Sequence, residues 1–571
     1  MGNNYSVLGV CFGGHDTSAA LVINNKIVAA CEQERFDLIK HSRSFPHEAI
    51  NECLKLAGIE LSNVNEISIG NDLIDLIRKS YLQPALKDNK RIEFLINDID
   101  RIKQFYYMEN LVRSKINFKG KINFYRHHLC HLASTYFPSG FNESLIVSYD
   151  GMGEIETAMM GIGKNGKIKI IHDTNLYPNS LGLFYSAITY FLGWRHHCDE
   201  GIIMGLAPFG DYNEIVPGQN RSYISFFEEM ILNKSNLDFE IDLKWIEYHN
   251  KRDTWISEYF KDIFGPVRKF EDEITLHHKN IAAALQKRIE DIILSQLQFL
   301  KQNYHQEYLC ISGGVGLNCS LNGKIAKQLG FKEIFVQPAS GDSGIALGSA
   351  LLASSKRFKY YSAKYHDFYL GSKFNDNEIL LQIEKANIPF IKDDNIVRQV
   401  AKQLKQGKIV GWFQGGAEFG PRALGNRSIL SRPYPESQRD YINNRVKFRE
   451  DFRPFAPAIL YEFYEEYFDI KQESPHMLIA CKVKQKYKKL IPAVVHVDNT
   501  CRVQTVKKSN NEIFYKLLKE FNLIANCPVL LNTSFNIKGQ PIVNTPAQAI
   551  ETYKTTNIDV LAIGNFLLIK D

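Results

Sequence analysis

Three histidines and a cysteine fall within five positions of the segment "HHLCH", which begins at His127. If this segment is helical, His127 and His131 lie one turn apart on the same face, where both imidazoles could reach one ion. An imidazole pair supplies half of a four-coordinate site, so carboxylates must come from elsewhere. Asp150 in "VSYDGMGE" and Asp342 in "ASGDSG" follow predicted strands and would complete a set suited to iron, manganese or zinc. The alternative is that the histidines only cap and pack a helix.

A fourth histidine is a candidate base. His15 lies in "GGHDTSAA", a polar turn after the first predicted strand. An imidazole there could take a proton from a hydroxyl group near neutral pH. Asp16 could orient this ring or cap the following segment, and the alternative for His15 is a hydrogen bond that fixes the turn. His128 would point away from His127 and His131, and we predict a structural role for it.

Cationic residues are concentrated in the last third of the chain. They belong to "GGAEFGPRALGNRSIL", "NRVKFREDFRPFAP" and "HVDNTCRVQTV", and are Arg422, Arg427, Lys447, Arg449, Arg453 and Arg502. Bringing so many cations together is costly unless an anion balances them, and polyphosphate is the natural candidate. The alternative is an internal network with Glu418, Glu450 and Asp451, which the cations outnumber. In "LLNTSFN", Asn532 and Ser534 could hydrogen-bond a nucleotide or a carbamoyl group, or could form a strand-end turn.

The elements that must position these residues follow one repeated plan. Tyr5 to Cys11 is an apolar strand that ends in a glycine turn, and "AALVI", Asn24-Asn25 and "KIVAACE" then form a hairpin. The stretch "ESLIVSYDGMGE" and the hairpin around Lys164-Asn165-Gly166 repeat this order. The second copy leads to an amphipathic helix, whose apolar face holds Leu285, Ile289, Ile292, Ile293 and Leu300.

Two glycine-rich corners, "SGGVGLNCSLNG" and "ASGDSG", each follow a short strand. Backbone amides at such corners can approach a phosphate or a sugar. Duplicated halves with two such corners predict the α/β fold of actin and hexokinase, the ATPase type known as ASKHA. The alternative is two ordinary α/β units.

The composition changes after the stretch "SKRFKYYSAKYHDFYLGS", which is rich in charged and aromatic residues. We therefore predict a first domain at residues 1–355, a linker at 356–372 and a second α/β domain at 373–571. A chain of 571 residues is too long for one core, which agrees with this division.

Composition narrows the class of protein. Hydrophobic residues make up 44% and charged residues 23%, as in soluble globular proteins. The net charge of +6 is too small to indicate a nucleic-acid partner by itself. The ten cysteines form no CxxC pair, the start lacks a secretory pattern, and no apolar run approaches the roughly 20 residues that span a bilayer. We expect a reduced, cytoplasmic protein with no membrane partner.

Taken together, the motifs resemble the NodU/CmcH family of O-carbamoyltransferases over nearly the whole chain. The likeness rests on a dozen motifs in order, among them "GGHDTSAA", "EQERFDLIKH", "HHLCHLAS", "YDGMGE", "DEGIIMGLAPFG", "GDSGIALGSAL", "EFGPRALGNRSIL", "VKFREDFRPFAPAIL", "HVDNTCRVQTV" and "LLNTSFN". The resemblance implies an ASKHA-type domain similar to the one that transfers threonylcarbamoyl groups, followed by a YrdC-like domain. That second domain would make carbamoyl adenylate from carbamoyl phosphate and ATP, and the first would pass the carbamoyl group to a hydroxyl of a small natural product or sugar.

The resemblance also implies roles for individual residues. Binding of ATP and carbamoyl phosphate would fall to Arg422, Arg427, Lys447, Arg453, Arg502, Asn532 and Ser534. The metal ligands would be His127, His131, Asp150 and Asp342, with Fe(II) favoured over manganese or zinc, and Mg²⁺ would accompany ATP. His15 would be the general base, and Arg422 and Lys447 would act in catalysis of adenylate formation. Whether the chain acts as a monomer or a homodimer is left open.

Two departures from the family pattern stand out. Ile202 in "DEGIIMGLAP" replaces a lysine that is common in the family, and Ala417 in "GGAEFG" replaces a longer polar residue. Neither change touches the presumed metal ligands or the arginines. The loss of the lysine could alter a contact to the intermediate or the acceptor.

Two other functions remain as alternatives. An enzyme that carries a threonylcarbamoyl-type group to tRNA would need a basic surface for the nucleic-acid backbone, which the modest net charge does not indicate. A nucleotide-binding regulator that opens and closes without carbamoyl chemistry would not require the second, arginine-rich site.

Overall fold

The computed structural model describes residues 4–358, 365 and 367–570. The first predicted repeat forms a five-stranded sheet in the order β3-β2-β1-β4-β5. Its strands are β1 (Ser6–Cys11), β2 (Ser18–Ile23), β3 (Lys26–Glu32), β4 (Glu66–Ile69) and β5 (Lys121–Phe124). β1, β2 and β3 pair antiparallel, whereas β4 and β5 run parallel to β1. Asn24 and Asn25 both have positive φ, which the tight turn between β2 and β3 requires.

The second repeat has the same strand order. Its strands, with a separate short hairpin between them, are β6 (Glu143–Tyr149), β7 (Ala158–Lys164), β8 (Lys167–His172), the hairpin β9 (Ile231–Asn233) and β10 (Phe239–Ile241), and then β11 (Tyr308–Ser312) and β12 (Glu333–Val336). The sheet order β12-β11-β6-β7-β8 copies the first sheet, with an antiparallel hairpin on one side and parallel strands on the other. This duplication confirms the predicted actin- and hexokinase-like α/β architecture.

Two helices lie between the two sheets and hold the two repeats together. Helix His127–Ser139 packs on β6, β7 and β11, whereas helix Ser343–Ser355 packs on β1 and β2. The two helices also pack on each other, and a Cβ atom on Gly348 would lie 1.9 Å from the carbonyl oxygen of Cys130. Glycine is therefore required at this crossing, because any side chain would push the helices apart.

Residues 4–358 contain further helices, of which His47–Ala57 packs on β2 and β3. Besides the two central helices they are Glu34–Asp37, His47–Ala57, Leu73–Leu76, Gln83–Lys87, Lys90–Asn97, Ile99–Tyr106, Met108–Ile116, Leu181–Phe191, Glu200–Leu206, Tyr223–Met230, Glu258–Phe264, Leu276–Tyr304 and Cys319–Gln328. Helix Leu276–Tyr304 is the predicted amphipathic helix. Its predicted apolar face is buried throughout, at Leu285, Ile289, Ile292, Ile293 and Leu300.

The C-terminal part forms its own mixed sheet of eight strands, in the order β13-β23-β22-β14-β15-β21-β16-β20. In chain order the strands are β13 (Ile391–Lys392), β14 (Val410–Phe413), β15 (Arg427–Ser431), β16 (Ala456–Leu460), β17 (Phe468–Asp469), β18 (Ala480–Val483), β19 (Thr500–Arg502), β20 (Gln504–Val506), β21 (Val529–Ser534), β22 (Val560–Ile563) and β23 (Phe566–Ile569). β17, β18 and β19 make a second, small sheet. The helices are Asp376–Ala386, Ile396–Lys405, Ser437–Ile442, Tyr464–Tyr467, Glu512–Ala525 and Pro546–Thr555.

Several other sequence predictions concern the fold. The predicted linker, 356–372, falls outside the described residues at 359–364 and at 366, so the division into two domains there stays a prediction. All ten cysteines are free thiols. In the part of the chain that the structure describes, no helix combines the length and apolar character needed to cross a bilayer.

Candidate active centre

The four predicted metal ligands meet in one place. One ligand atom from each of His127, His131, Asp150 and Asp342 lies within 4.8 Å of the others. Nε2 of His127 is 3.2 Å, and Nε2 of His131 is 3.3 Å, from the same Oδ2 atom of Asp150. The corresponding distances to Oδ1 of Asp342 are 3.6 Å and 3.8 Å.

Local structure explains why these side chains converge. His127 and His131 lie one turn apart at the start of their helix, as predicted. Asp150 directly follows β6, and its Oδ1 accepts a hydrogen bond of 2.7 Å from the amide of Gly314, which turns the other oxygen toward the histidines. Asp342 immediately precedes helix Ser343–Ser355, which follows the last strand of the second repeat. The two histidines lie on the helix that follows the last strand of the first repeat, so both repeats contribute ligands.

The donor set fits a divalent metal ion. Two imidazole nitrogens and two carboxylate oxygens that point at a common centre are ligands typical of iron, manganese or zinc. Burial raises the pKa of Asp342, and the neighbouring charge of Asp150 raises it further, so an added positive charge would stabilise the pair. Burial also opposes ionisation of Asp150, but hydrogen bonds with His127 and His131 outweigh it and hold its pKa well below the usual range.

His128 lies outside the ligand set. Its Nδ1 is 2.9 Å from Oγ of Ser148 and its Nε2 is 2.9 Å from the carbonyl oxygen of Glu156. The ring is completely buried, and this burial lowers its pKa well below 6.5. His128 therefore ties its helix to β6, which confirms the structural role predicted for it.

His15 stands at the edge of the metal-ligand cluster, with Nε2 at 4.0 Å from Oδ2 of Asp342. Its Nδ1 is 2.9 Å from Oδ2 of Asp16, and the other oxygen of Asp16 is 2.6 Å from Nδ1 of His41. Of the two roles predicted for Asp16, the structure shows the orienting one. Burial lowers the pKa of His15, but the charge of Asp342 and the hydrogen bond with Asp16 outweigh burial and raise it to about 9.

Sequence reasoning missed two neighbours of His15. The His197 ring lies 5.7 Å from the His15 ring, and His41 shares Asp16 with it. Burial, together with the nearby His15, lowers the pKa of His197 to about 3, so its imidazole is neutral. The motif "EQERFDLIKH" ends at His41 and was the available signal, but no local spacing connects it to residue 15.

A second centre gathers five cations in the C-terminal part, namely Arg422, Lys447, Arg449, Arg453 and Arg502. Burial lowers the pKa of Arg422 to about 9, and repulsion by Arg502 and Arg453 adds to the shift. Burial lowers the pKa values of Lys447 and Arg449 well below their usual ranges, and repulsion by Arg453 adds to both shifts. We call this group the cation cluster. Arg449, which the sequence analysis left without a role, is part of it.

Few carboxylates balance the cation cluster. Glu450 lies 3.6 Å from Arg453, and Asp199 of the N-terminal part adds a second favourable charge to that arginine. Glu418 instead accepts three backbone hydrogen bonds within its own loop, including one from Leu424. Among residues 4–358, 365 and 367–570, no acceptor lies within hydrogen-bond distance of Nε of Arg422 or Arg502, although both atoms are buried. The cluster thus has the charge and the unused donors of an anion site.

Lys447 and Ser534 are joined directly. The buried amine of Lys447 donates to the carbonyl of Ser534 at 2.5 Å, to Oδ1 of Asn536 at 2.7 Å and to Oγ of Ser534 at 3.2 Å. Asn532 lies two residues earlier on β21, and therefore on the same face of the strand. The structure brings these three predicted residues to one strand end.

Arg427 is placed differently from the other predicted cations. It is completely buried and stacks on Phe413, with the guanidinium carbon 3.6 Å from the ring centroid. Its terminal nitrogens donate to the carbonyls of Gln414, Gly415, Asn426 and Ser372 at 2.6 to 3.2 Å. These contacts hold its glycine-rich loop together, whereas its buried Nε has no partner among the described residues. The predicted part of Arg427 in substrate binding stays a prediction.

One loop contacts both centres. Trp194 donates to Glu450 at 3.4 Å and packs on Phe452, whereas His197 of the same loop lies against His15. Glu200 closes the loop by accepting hydrogen bonds of 2.6 Å from Ser186 and from the amide of His197. The loop at residues 194–200 thus connects the cation cluster to the metal-ligand cluster.

Comparison with known protein families finds matches over most of the chain. A family model described as the carbamoyltransferase N-terminus matches residues 6–351, and one described as the carbamoyltransferase C-terminus matches residues 401–570. The chain belongs to the carbamoyltransferase family. Both centres therefore lie within parts of the chain that carbamoyltransferases share.

Three related sequences illustrate the range of the comparison. The chain is 34% identical to the uncharacterized protein sll1178 of Synechocystis, over 99% of this chain and 96% of that one. It is 33% identical to nodulation protein NolNO of Sinorhizobium fredii, over 97% of this chain and 79% of that one. It is 34% identical to 3'-hydroxymethylcephem-O-carbamoyltransferase of Streptomyces clavuligerus, over 45% of this chain and 48% of that one.

Proposed function

We propose that the protein is an ATP-dependent O-carbamoyltransferase that uses carbamoyl phosphate as its carbamoyl source and a hydroxylated small molecule as acceptor. The observation that carries this proposal is that one loop contacts two centres with different chemistry, the cation cluster and the metal-ligand cluster. The cation cluster has unused buried donors for phosphates, and the other centre sets an oriented histidine beside a metal-ligand set. The first centre is suited to activation of the carbamoyl group and the second to its transfer.

Activation takes place at the cation cluster and requires one water molecule. Hydrolysis of carbamoyl phosphate breaks its bond to phosphate and gives carbamate and inorganic phosphate. A carbamate oxygen then attacks the α-phosphorus of ATP, the bond between the α- and β-phosphates breaks, and pyrophosphate leaves with its electron pair. Arg422, Arg453 and Arg502 stabilise the charge on the phosphate oxygens, which repel each other as they approach. Magnesium accompanies the nucleotide in this proposal.

Transfer takes place beside His15. The acceptor oxygen attacks the carbamoyl carbon of the adenylate, the bond from that carbon to the AMP oxygen breaks, and AMP leaves. The acceptor proton passes to Nε2 of neutral His15, because Nδ1 is engaged by Asp16. A cation held by Asp342 would offset the charge that raises the pKa of His15 to about 9, and would so favour the neutral imidazole that a base requires. A divalent ion held by His127, His131, Asp150 and Asp342, with Fe(II) first among the candidates, would supply electrophilic assistance to an oxygen of the intermediate.

The loop at residues 194–200 gives the intermediate a protected route between the centres. An acyl adenylate is hydrolysed readily, so the route must exclude water. Trp194 and Phe452 cover the cation-cluster end of this loop, and Trp255 packs on His197 with ring centroids 5.1 Å apart at the other end. Ile202, the position of the common family lysine, lies in helix Glu200–Leu206 directly after this loop, is 6% exposed and carries no charge.

The experiment that tests the proposal measures pyrophosphate from purified protein with ATP and carbamoyl phosphate, each also omitted in turn. Pyrophosphate release that requires both substrates supports the proposal, and release with ATP alone or no release overturns it. A second assay adds a panel of hydroxylated acceptors, from oligosaccharides to alcohol-bearing antibiotics, and detects carbamoylated products by mass spectrometry. Salt-sensitive binding and modification of tRNA in place of these acceptors would instead favour the tRNA-directed alternative.

A further inference from the structure

Arg35 belongs to the N-terminal part of the chain but contacts two segments of the C-terminal part. It is 5% exposed and lies on the short helix Glu34–Asp37, just after β3. Nη2 of Arg35 donates to the carbonyl of Gly420 at 2.6 Å, and Nε2 of Gln548 donates to the backbone carbonyl of Arg35 at 3.4 Å. No step of the proposed reaction uses this buried cation.

An ion pair with Glu32 fixes the guanidinium group. Nε and Nη2 of Arg35 donate to the same Oε2 atom of Glu32, at 2.9 Å and 2.7 Å. Burial lowers the pKa of Arg35, but the charges of Glu32 and Glu34 outweigh burial and raise the pKa above its usual value, so the group is charged. The planar fork of an arginine can serve a carboxylate and a carbonyl at once. The bond to Gly420 is therefore charge-assisted and held in one direction.

Gly420 lies on the loop that carries Arg422, two residues before it. Its φ is +122°, and a Cβ atom there would lie 2.7 Å from the carbonyl oxygen of Pro338. The preceding residue, Phe419, is completely buried and belongs to the hydrophobic core around helix Ser343–Ser355. The loop is thus seated on the N-terminal part immediately before Arg422.

Arg422 depends on its backbone for its position. Burial and repulsion by Arg502 both disfavour its charge, and its buried Nε has no partner among the described residues. Glu418 fixes the loop after Arg422 by accepting the amide of Leu424 at 2.8 Å. Arg35 fixes the loop before it, so the two contacts together set where the guanidinium of Arg422 points.

We propose that Arg35 is a positioning residue for adenylate formation, which holds Arg422 in the cation cluster through the carbonyl of Gly420 and contacts no substrate itself. Without Arg35 the buried carbonyl of Gly420 loses its charged donor, and the loop moves away from the N-terminal part and takes Arg422 with it. This inference rests on the proposed function for its part in the reaction. Binding of a phosphate chain can nevertheless be measured without any carbamoyl chemistry.

The binding experiment uses inorganic triphosphate as the probe, with isothermal titration calorimetry of the full-length protein. The double variant Glu32→Gln/Arg35→Met removes the whole ion pair and leaves no unpaired buried charge, so it is less disruptive than Arg35→Met alone. We expect it to bind triphosphate about tenfold or more weakly than the wild-type protein. The Kd reports the folded molecules, so a loss of stability alone does not change it.

Glu32→Gln is the matched control. It loses the same ion pair but keeps Arg35 and the contact of Arg35 with Gly420. Its melting temperature should fall, and its Kd for triphosphate should stay close to that of the wild-type protein.

The catalytic readout is the KM for ATP in pyrophosphate release with carbamoyl phosphate. A displaced Arg422 raises KM and lowers kcat in the double variant. A purely structural role of Arg35 lowers only the concentration of active protein, so the apparent kcat falls and KM is unchanged.

Each outcome decides between the proposals. An unchanged Kd in the folded double variant overturns the inference, and so does an equal loss of affinity in Glu32→Gln. A wild-type protein that does not bind triphosphate overturns it together with the cation cluster as an anion site. Binding that depends on Arg35, without pyrophosphate release from ATP and carbamoyl phosphate, overturns the proposed function and leaves Arg35 as the residue that positions Arg422.

A second variant keeps the test decisive if the double variant does not fold. Arg35→Lys keeps a cation beside Glu32, but one ammonium nitrogen cannot take the places of both Nε and Nη2. Arg35→Lys must then bind triphosphate more weakly than Glu32→Gln does, and equal affinity in these two variants overturns the inference.

Discussion

Oδ2 of Asp16 lies 2.9 Å from Nδ1 of His15, and this contact leaves Nε2 of the imidazole directed toward the metal-ligand cluster. A carboxylate on one ring nitrogen fixes both the orientation of the ring and the nitrogen that exchanges protons. The relationship makes His15 an oriented imidazole and suggests how each centre can be tested separately.

Replacement of His15 by alanine should stop carbamoyl transfer and leave adenylate formation intact. The cation cluster does not include His15, so pyrophosphate release from ATP and carbamoyl phosphate should continue, while acceptor carbamoylation falls by about 10²–10⁴-fold. Both products can be followed in one reaction by mass spectrometry. His47→Ala, at an exposed helix start, is the control and should change neither. Equal loss of both activities in His15→Ala would contradict the division of labour.

Replacement of Arg422 by alanine should have the opposite effect and abolish pyrophosphate release. The contrast is with Arg427, which has both terminal nitrogens committed to backbone carbonyls. Arg427→Met should lower the free energy of unfolding by at least about 2 kcal/mol, since it leaves buried carbonyls unpaired. Urea denaturation of both variants checks this difference. A stable Arg427→Met protein that has lost ATP binding would show that Arg427 contacts the nucleotide after all.

The metal-ligand cluster predicts a clear difference between adjacent histidines. His131→Ala should reduce the bound divalent metal, measured by elemental analysis after dialysis, by about tenfold or more, because one of four ligands is lost. His128→Gln should keep the metal content and lower the melting temperature, since His128 bonds to Ser148 and Glu156 instead. Similar metal content in all three proteins would argue against the cluster as the binding site.

The cation cluster should stabilise the protein when an anion is bound. Mutual repulsion of buried arginines is relieved by polyphosphate, and a ligand present at a hundred times its Kd adds about 2.7 kcal/mol to the free energy of unfolding. Inorganic triphosphate or ATP should therefore raise the melting temperature of the wild-type protein. The same anions should give a much smaller shift with Arg502→Ala, whereas an equal shift in both proteins would indicate that they bind elsewhere.

The contact between His41 and Asp16 predicts a pH-dependent stability. Burial lowers the pKa of His41, but hydrogen bonding to Asp16 outweighs it and raises the pKa from 6.5 to about 11. Because the folded-state pKa is the higher one, this stabilisation is complete below about pH 6.5 and is lost as the pH rises toward 11. The difference in melting temperature between wild type and His41→Gln should therefore shrink from pH 6 to pH 10. A difference that stays constant would contradict a charged pair.

The sequence was sufficient for the parts of this structure that depend on local pattern. Period-two strands, the Asn24-Asn25 turn and the one-turn spacing of His127 and His131 are set by neighbours in the chain. Asp150 and Asp342 could be added because strand ends of a duplicated fold converge. By contrast, Arg422 and Arg427 are five residues apart in one motif and differ in burial. Arg427 is the buried one because it stacks on Phe413 and donates to the carbonyl of Ser372, and both of these residues lie outside the motif.

The two N-terminal sheets have matching strand orders, and the metal ligands divide between the two halves. Asp150 follows β6, and His127 and His131 lie on the helix that packs on β6, β7 and β11, whereas Asp342 begins the helix that packs on β1 and β2. Any rigid-body rocking of one half against the other would change the distance between Asp342 and the other three ligands. Ion binding and closure of the halves are therefore energetically linked, and a chelator should loosen the N-terminal part as a unit.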